Sequence, residues 1–163
     1  MTPQIVYNSA SNRSSATSFY MADAMWMKLR KVPWEKYPMS PSSKKQVPRI
    51  LEALASRKGP RAMKAGHDMW VALCSGQIWP AAEPAFPFLV DILGISQPDV
   101  QGEILDLFLK FSSLPQDADA EEWQLRLRML LKNEHRFMTK LSHSKDEIVA
   151  GKASLILDKI STE

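Results

Sequence analysis

The feature that most constrains this chain is a proline-led apolar pattern that occurs twice. Val47-Pro48-Arg49-Ile50-Leu51-Glu52-Ala53-Leu54 is echoed by Phe86-Pro87-Phe88-Leu89-Val90-Asp91-Ile92-Leu93. Each sets an apolar residue before a proline, continues with helical spacing to a leucine, and is followed by a polar break and a second helical stretch. Leu54 and Leu93 lie 39 residues apart, close to the roughly 40–47 residues over which paired-helix repeats recur. Such a unit cannot bury its apolar faces alone. It must stack on neighbours, and the stack presents an extended surface suited to gripping a macromolecule.

The rest of the chain can be parsed around this pattern. Residues 1–15 are polar and without periodicity, which predicts a flexible arm. An N-terminal helix is expected over 17–31, where Phe19, Ala22, Met25 or Trp26, and Leu29 share one stripe and Pro33 provides the stop. The proline-rich stretch 32–46 cannot be one helix, and Trp34 and Tyr37 are expected to anchor it against the first helix pair. The first repeat unit spans 47–76. Its first helix tolerates Pro48 in the opening turn, Pro60 opens its second helix, and Gly76 closes that helix. On the second helix Met63, Gly66, Met69 or Trp70, Leu73 and Cys74 make the buried stripe.

The second unit spans 81–113, with helices at about 81–94, ended by Gly94, and 98–112. Val100, Ile104, Leu107, Phe108 and Phe111 are expected to face inward. After an acidic linker at 114–120, a third unit spans 120–160. It has one long helix over 120–141 and a last one over 145–160, striped by Val149, Ala153, Ile156, Leu157 and Ile160. No useful strand-like alternation occurs. The predicted class is all-α.

At 163 residues one domain is the default. A single cysteine, Cys74, excludes an internal disulfide framework and suits a reducing cytoplasm. The N-terminus lacks an apolar stretch of signal-peptide length. No run approaches the roughly 20 apolar residues that cross a bilayer, so no membrane association is expected. Charge is segregated: 12 Lys and Arg against three acids in residues 1–64, then Lys110 alone against 10 acids in 65–122. Blocks of opposite sign steer association with a charged partner.

Several stretches resemble a known family. Val32-Pro33-Trp34, Gln46-Val47-Pro48, Leu51 and Ala53-Leu54-Ala55-Ser56 are similar to the opening of small bacterial HEAT-repeat proteins. Trp70 to Leu73, Gly76-Gln77-Ile78, the run from Ala81 to Leu89, and Ile104-Leu105-Asp106-Leu107 resemble the family's next elements: a Trp-bearing helix, a Gly turn, an Ala-rich lead-in and two further helices. The resemblance covers about residues 32–112, with 137–160 as a generic HEAT unit. It implies a HEAT-like helical-repeat solenoid of about three helix pairs plus the N-terminal helix. It also implies the role such proteins often have, as immunity proteins that neutralise a cognate toxin. The chain departs from the pattern where HEAT repeats commonly carry an arginine, having Gln101 and Ala150 instead.

Candidate chemistry is sparse. There is no phosphate-cradling glycine loop, nucleophile elbow or metal-spaced His/Cys cluster. His67 and Cys74 lie about 10 Å apart along a helix axis, too far to form a nucleophilic pair. No metal, cofactor or enzymatic activity is expected. Trp79, in a turn beside Pro80, is expected to be an exposed interface anchor. Asp99, Glu103 and Asp106, with Glu83 and Asp91, are expected to make a negative strip for a basic protein such as a nuclease toxin. Lys44, Lys45, Arg49, Arg57, Lys58, Arg61 and Lys64 form a basic patch that suits nucleic-acid phosphates. The sequence therefore points first to a protein-binding module occluding a toxin, next to a nucleic-acid-binding repeat protein, and third to a scaffold or adaptor.

Overall fold

The computed structural model describes residues 25–161 of the chain. The arm expected at 1–15 and the start of the helix expected from Thr17 lie outside the described residues. Two compact units divide after Pro33. In the first, residues 25–31 are helical, with Met25 and Leu29 buried and Trp26 and Met27 exposed. Met25 thus takes the place on the apolar stripe for which it competed with Trp26. The Arg30 guanidinium stands 6.0 Å from the centre of the Trp26 ring.

The second unit is built of helices and turns, and no strand occurs among the described residues. A short 3-10 turn, Trp34–Lys36, precedes seven helices: α1 Val47–Leu54, α2 Gly59–Cys74, α3 Ala82–Ile95, α4 Pro98–Phe111, α5 Glu122–Lys132, α6 His135–Leu141 and α7 Glu147–Ser161. Local chemistry explains most boundaries. Pro48, Pro60 and Pro98 each sit in a first helical turn, where the missing N–H leaves no bond unmade and the fixed φ favours the helix. Gly76, just past the end of α2, has φ +78°, the left-handed conformation that glycine adopts at little cost. Gln124 returns its side chain to the Glu121 N–H at 2.8 Å, satisfying a donor left over at the start of α5.

The helices pack in two rows. α1 lies against α3 and α3 against α5; in the other row α2 lies against α4 and α4 against α7. Between the rows α1 pairs with α2, α3 with α4, and α6 with α7. The middle pair supplies the aromatic centre of the core. The Phe86 ring is 4.8 Å from Phe108 and 6.4 Å from Phe111, and all three are fully buried. Burying side chains of this size stabilises the fold by about 1.5–3 kcal/mol each. Ala62, Ala65 and Gly66 on the inner side of α2 are also buried, and small residues there let its neighbours approach closely.

Four expectations require correction. The two proline echoes do not share a helical register. Pro87 falls inside α3, whereas Pro48 lies in the first turn of α1. At Pro87 the helix lacks one backbone donor and is held by its buried neighbours Phe86, Phe88 and Leu89. Gly94 lies within α3 instead of ending it, and a Cβ there would stand 3.8 Å from the Phe137 ring.

The single helix expected over 120–141 is two helices. At the junction the Glu134 N–H donates to Leu131 O at 3.0 Å, a tighter turn than the α-helix makes. The bend lets α5 pack on α3 while α6 packs on α7. Finally, Trp34 meets the second helix pair, its ring 6.2 Å from Phe88 of α3. The 34–46 segment is tied to both pairs, since the Ser40 N–H donates to Ala72 O and the Ala81 N–H to Pro38 O, at 2.9 and 3.0 Å.

Candidate functional site

Adjacent apolar residues on a helix lie about 100° apart, so a narrow stripe buries one and leaves the other outside. In the second unit this happens at three places. Met69 is fully buried while Trp70 is 40% exposed; Val149 and Ile156 are buried while Ile148 and Leu155 are 65% and 52% exposed. Trp70, which competed with Met69 for a place in the core, therefore belongs to the surface. These exposed residues stand on α2 and α7, the outer members of one helix row, with α4 between them.

A groove of about 590 Å³ runs between α2 and α4, with Gly66, His67 and Trp70 on one side and Glu103, Asp106 and Lys110 on the other. The helices approach closely at Gly66, where a Cβ would stand 3.0 Å from the Glu103 Cβ. The absence of a side chain there lets α4 seat the Glu103 stem directly on α2. One and two turns on, Asp106 and Lys110 continue the same face of α4. The Lys152 ammonium of α7 closes the other side of that face, 2.9 Å from the Asp106 carboxylate and 3.3 Å from Gly102 O. Ile148, Lys152 and Leu155 succeed one another at helical spacing, so the exposed apolar pair of α7 flanks this bridge.

The six residues expected to form one partner-binding surface are divided by the structure. Asp99, Glu103 and Asp106 do share one face of α4. Asp99 accepts the Val100 N–H at 2.8 Å, and among the described residues no ion pair meets Glu103. Glu83 and Asp91, in contrast, lie on α3 in the other row. Glu83 is held by Arg126 of α5 through two hydrogen bonds, at 2.6 and 3.0 Å. That bonding, with the charge of Glu83, raises the Arg126 pKa. Asp91 lies near Glu134, whose pKa is raised by burial and then by the Asp91 charge.

Trp79 is not an exposed anchor. It is half-buried, its indole N–H donates to Ser75 O and its backbone N–H to Leu73 O, both at 2.8 Å, so it fastens the turn after α2. In the second unit an aromatic that does protrude is Trp70, nine positions earlier. The signal for it was present in the Met69-Trp70 neighbour pair, as it was in Ile148-Val149 and Leu155-Ile156.

The seven basic residues Lys44, Lys45, Arg49, Arg57, Lys58, Arg61 and Lys64 lie around α1 and the first half of α2, at one end of the rows, and none is buried. Asp68, one turn beyond Lys64, draws Lys45 and Lys64 together at 3.4 Å each and offsets part of their charge.

The groups with nucleophilic or metal-binding chemistry are dispersed. Burial pushes the Cys74 thiol up to about 12, against a smaller opposing effect of Lys110, which leaves it almost wholly protonated and a poor nucleophile at neutral pH. His143 Nδ1 lies 2.9 Å from Thr139 O, a contact made within its own helix end. Among the described residues, no group of three or more His, Cys, Asp or Glu side chains is placed to hold a metal ion, and no helix is long and apolar enough to cross a membrane. No protein family, curated protein or solved structure matches this chain.

Proposed function

We propose that this chain is a non-enzymatic, HEAT-like helical-repeat module that grips a protein partner on the face formed by α2, α4 and α7. The repeat reading is supported by the order of packing: α1, α3 and α5 lie on one another in turn, α2, α4 and α7 do likewise, and the first two pairs close between the rows, while in the third unit α6 packs on α7. The observation that carries the functional reading is the exposure of Trp70, Ile148 and Leu155 around the Glu103–Asp106 face. Large apolar side chains ringed by charge are the usual composition of interface anchors, and carboxylates among them favour a basic partner through steering and register.

In its specific form, the proposal is that the chain is an immunity protein that occludes the active site of a cognate toxin in the cytoplasm. This form rests on the resemblance of residues 32–112 to small bacterial HEAT-repeat proteins. The test is co-expression with the product of the adjacent gene, scored by growth, and by capture of that product in about 0.5 M salt. At that salt, binding built on phosphate-type contacts falls by orders of magnitude, while an interface with an apolar centre persists. Rescue of growth, lost with the Trp70→Ala, Leu155→Asp double variant whose helicity is unchanged, is the expected result. Undiminished rescue by that variant would overturn the assignment of this face. Salt-sensitive DNA retention that disappears with Lys44→Ala, Lys58→Ala and Arg61→Ala would favour the nucleic-acid reading instead.

A further inference from the structure

We propose that the groove between α2 and α4 receives an arginine side chain of the partner protein, its guanidinium held by the Glu103 carboxylate and stacked on the Trp70 indole. The inference rests on the protein-binding reading and narrows it to one side chain.

The two carboxylates that line the groove are not equivalent. Asp106 is already engaged by Lys152 at 2.9 Å, whereas Glu103 meets no ion pair among the described residues. The stem of Glu103 is seated against the bare Gly66, so its carboxylate is positioned by backbone approach and loses little freedom when it binds. Trp70 lies one helical turn beyond Gly66 and exposes 40% of its surface along the same groove. A planar cation between these two groups gains a charge-assisted, two-pronged hydrogen bond and a ring contact together. A lysine ammonium has no plane to stack and no fork to match. Lys110, farther along the α4 side, repels a second positive charge, so the groove suits one arginine and not a polybasic run.

The test uses the full chain and two blocked tripeptide amides, glycyl-arginyl-glycine and glycyl-lysyl-glycine, read by NMR at the Trp70 indole N–H and the Gly66 amide. The arginine peptide is expected to move both signals saturably and to bind about fivefold or more tighter than the lysine peptide. Glu103→Gln is expected to weaken it by about tenfold, while Asp106→Asn changes it by less than about twofold. Equal titration by the two peptides, or binding unaltered by Glu103→Gln, would overturn the inference. If neither peptide moves these signals, yet Trp70→Ala and Leu155→Asp abolish capture of the whole partner, the arginine seat is wrong and the protein-binding face stands. If those two substitutions also leave capture intact, the face is wrong as well.

Discussion

Gly66 and Gly151 are both helical glycines, but they stand in opposite surroundings. A Cβ on Gly66 would meet the Glu103 Cβ at 3.0 Å and its Cγ at 3.2 Å, while one on Gly151 would meet nothing within 4 Å. Alanine in an exposed helix interior is about 0.8–1 kcal/mol more favourable than glycine. Gly151→Ala, on the exposed side of α7, is therefore expected to stabilise the chain by about 1 kcal/mol. At Gly66 the same gain is opposed by atoms fixed close to the α4 backbone, so the two helices must separate by a few tenths of an ångström. Gly66→Ala is expected to be neutral or destabilising. Denaturant melts of the two variants measure the difference. If Gly66→Ala stabilised as much as Gly151→Ala, the close approach that seats Glu103 would be disproved.

Two elements depend on polar side chains acting from inside. Arg128 of α5 is 5% exposed and donates to Ser112 O and, at 3.4 Å, to Leu114 O. It pins the segment that leads out of α4. Removing it leaves buried carbonyls short of a donor, so Arg128→Met is expected to cost about 2 kcal/mol and to open the 114–120 segment to proteolysis. The junction of α5 and α6 is expected to respond to pH. The Glu134 pKa is raised, first by burial and then by Asp91. The folded state thus holds this proton more tightly than the unfolded chain, and the group costs stability as pH rises above the ordinary value of 4.5. Glu134→Gln is expected to raise the melting temperature at neutral pH, with the gain shrinking as pH falls toward that value. A gain independent of pH would remove Glu134 as the cause. Neither device was legible in the sequence. Arg128 resembles any helical surface arginine until Ser112 and Leu114 are brought to it, and nothing in Lys132-Asn133-Glu134-His135 breaks the helical pattern strongly enough to mark the bend. The stripes of α4 and α7 and the glycine after α2 were legible, because each arises from local periodicity or backbone preference.

The middle helix pair differs in kind from the outer two. α3 and α4 pack on members of both neighbouring pairs, while α1 and α2 pack on each other and on the middle pair, and α6 packs on α7, which with α5 packs on the middle pair. In a stack held by such neighbour contacts, stability is approximately the sum of each pair's own stability and its interfaces, so an outer pair can open while the rest persists. This also explains why the candidate face escaped a reading along the chain. Trp70, Glu103 and Leu155 belong to three separate pairs and come onto one row of helices only when the pairs stack. A cavity at the end and one in the centre should therefore have different effects. Ile156 of α7 and Phe108 of α4 are both fully buried, and truncating them costs about 2–5 and 3–5 kcal/mol respectively. Native-state hydrogen exchange is expected to show that Ile156→Ala speeds exchange in α6 and α7 while α1 and α2 keep their protection. Phe108→Ala should lower protection in all three pairs together. If Ile156→Ala loosened α1 as much as α7, the helices would form one indivisible cooperative core, and the face across α2, α4 and α7 could not move as separately supported pairs.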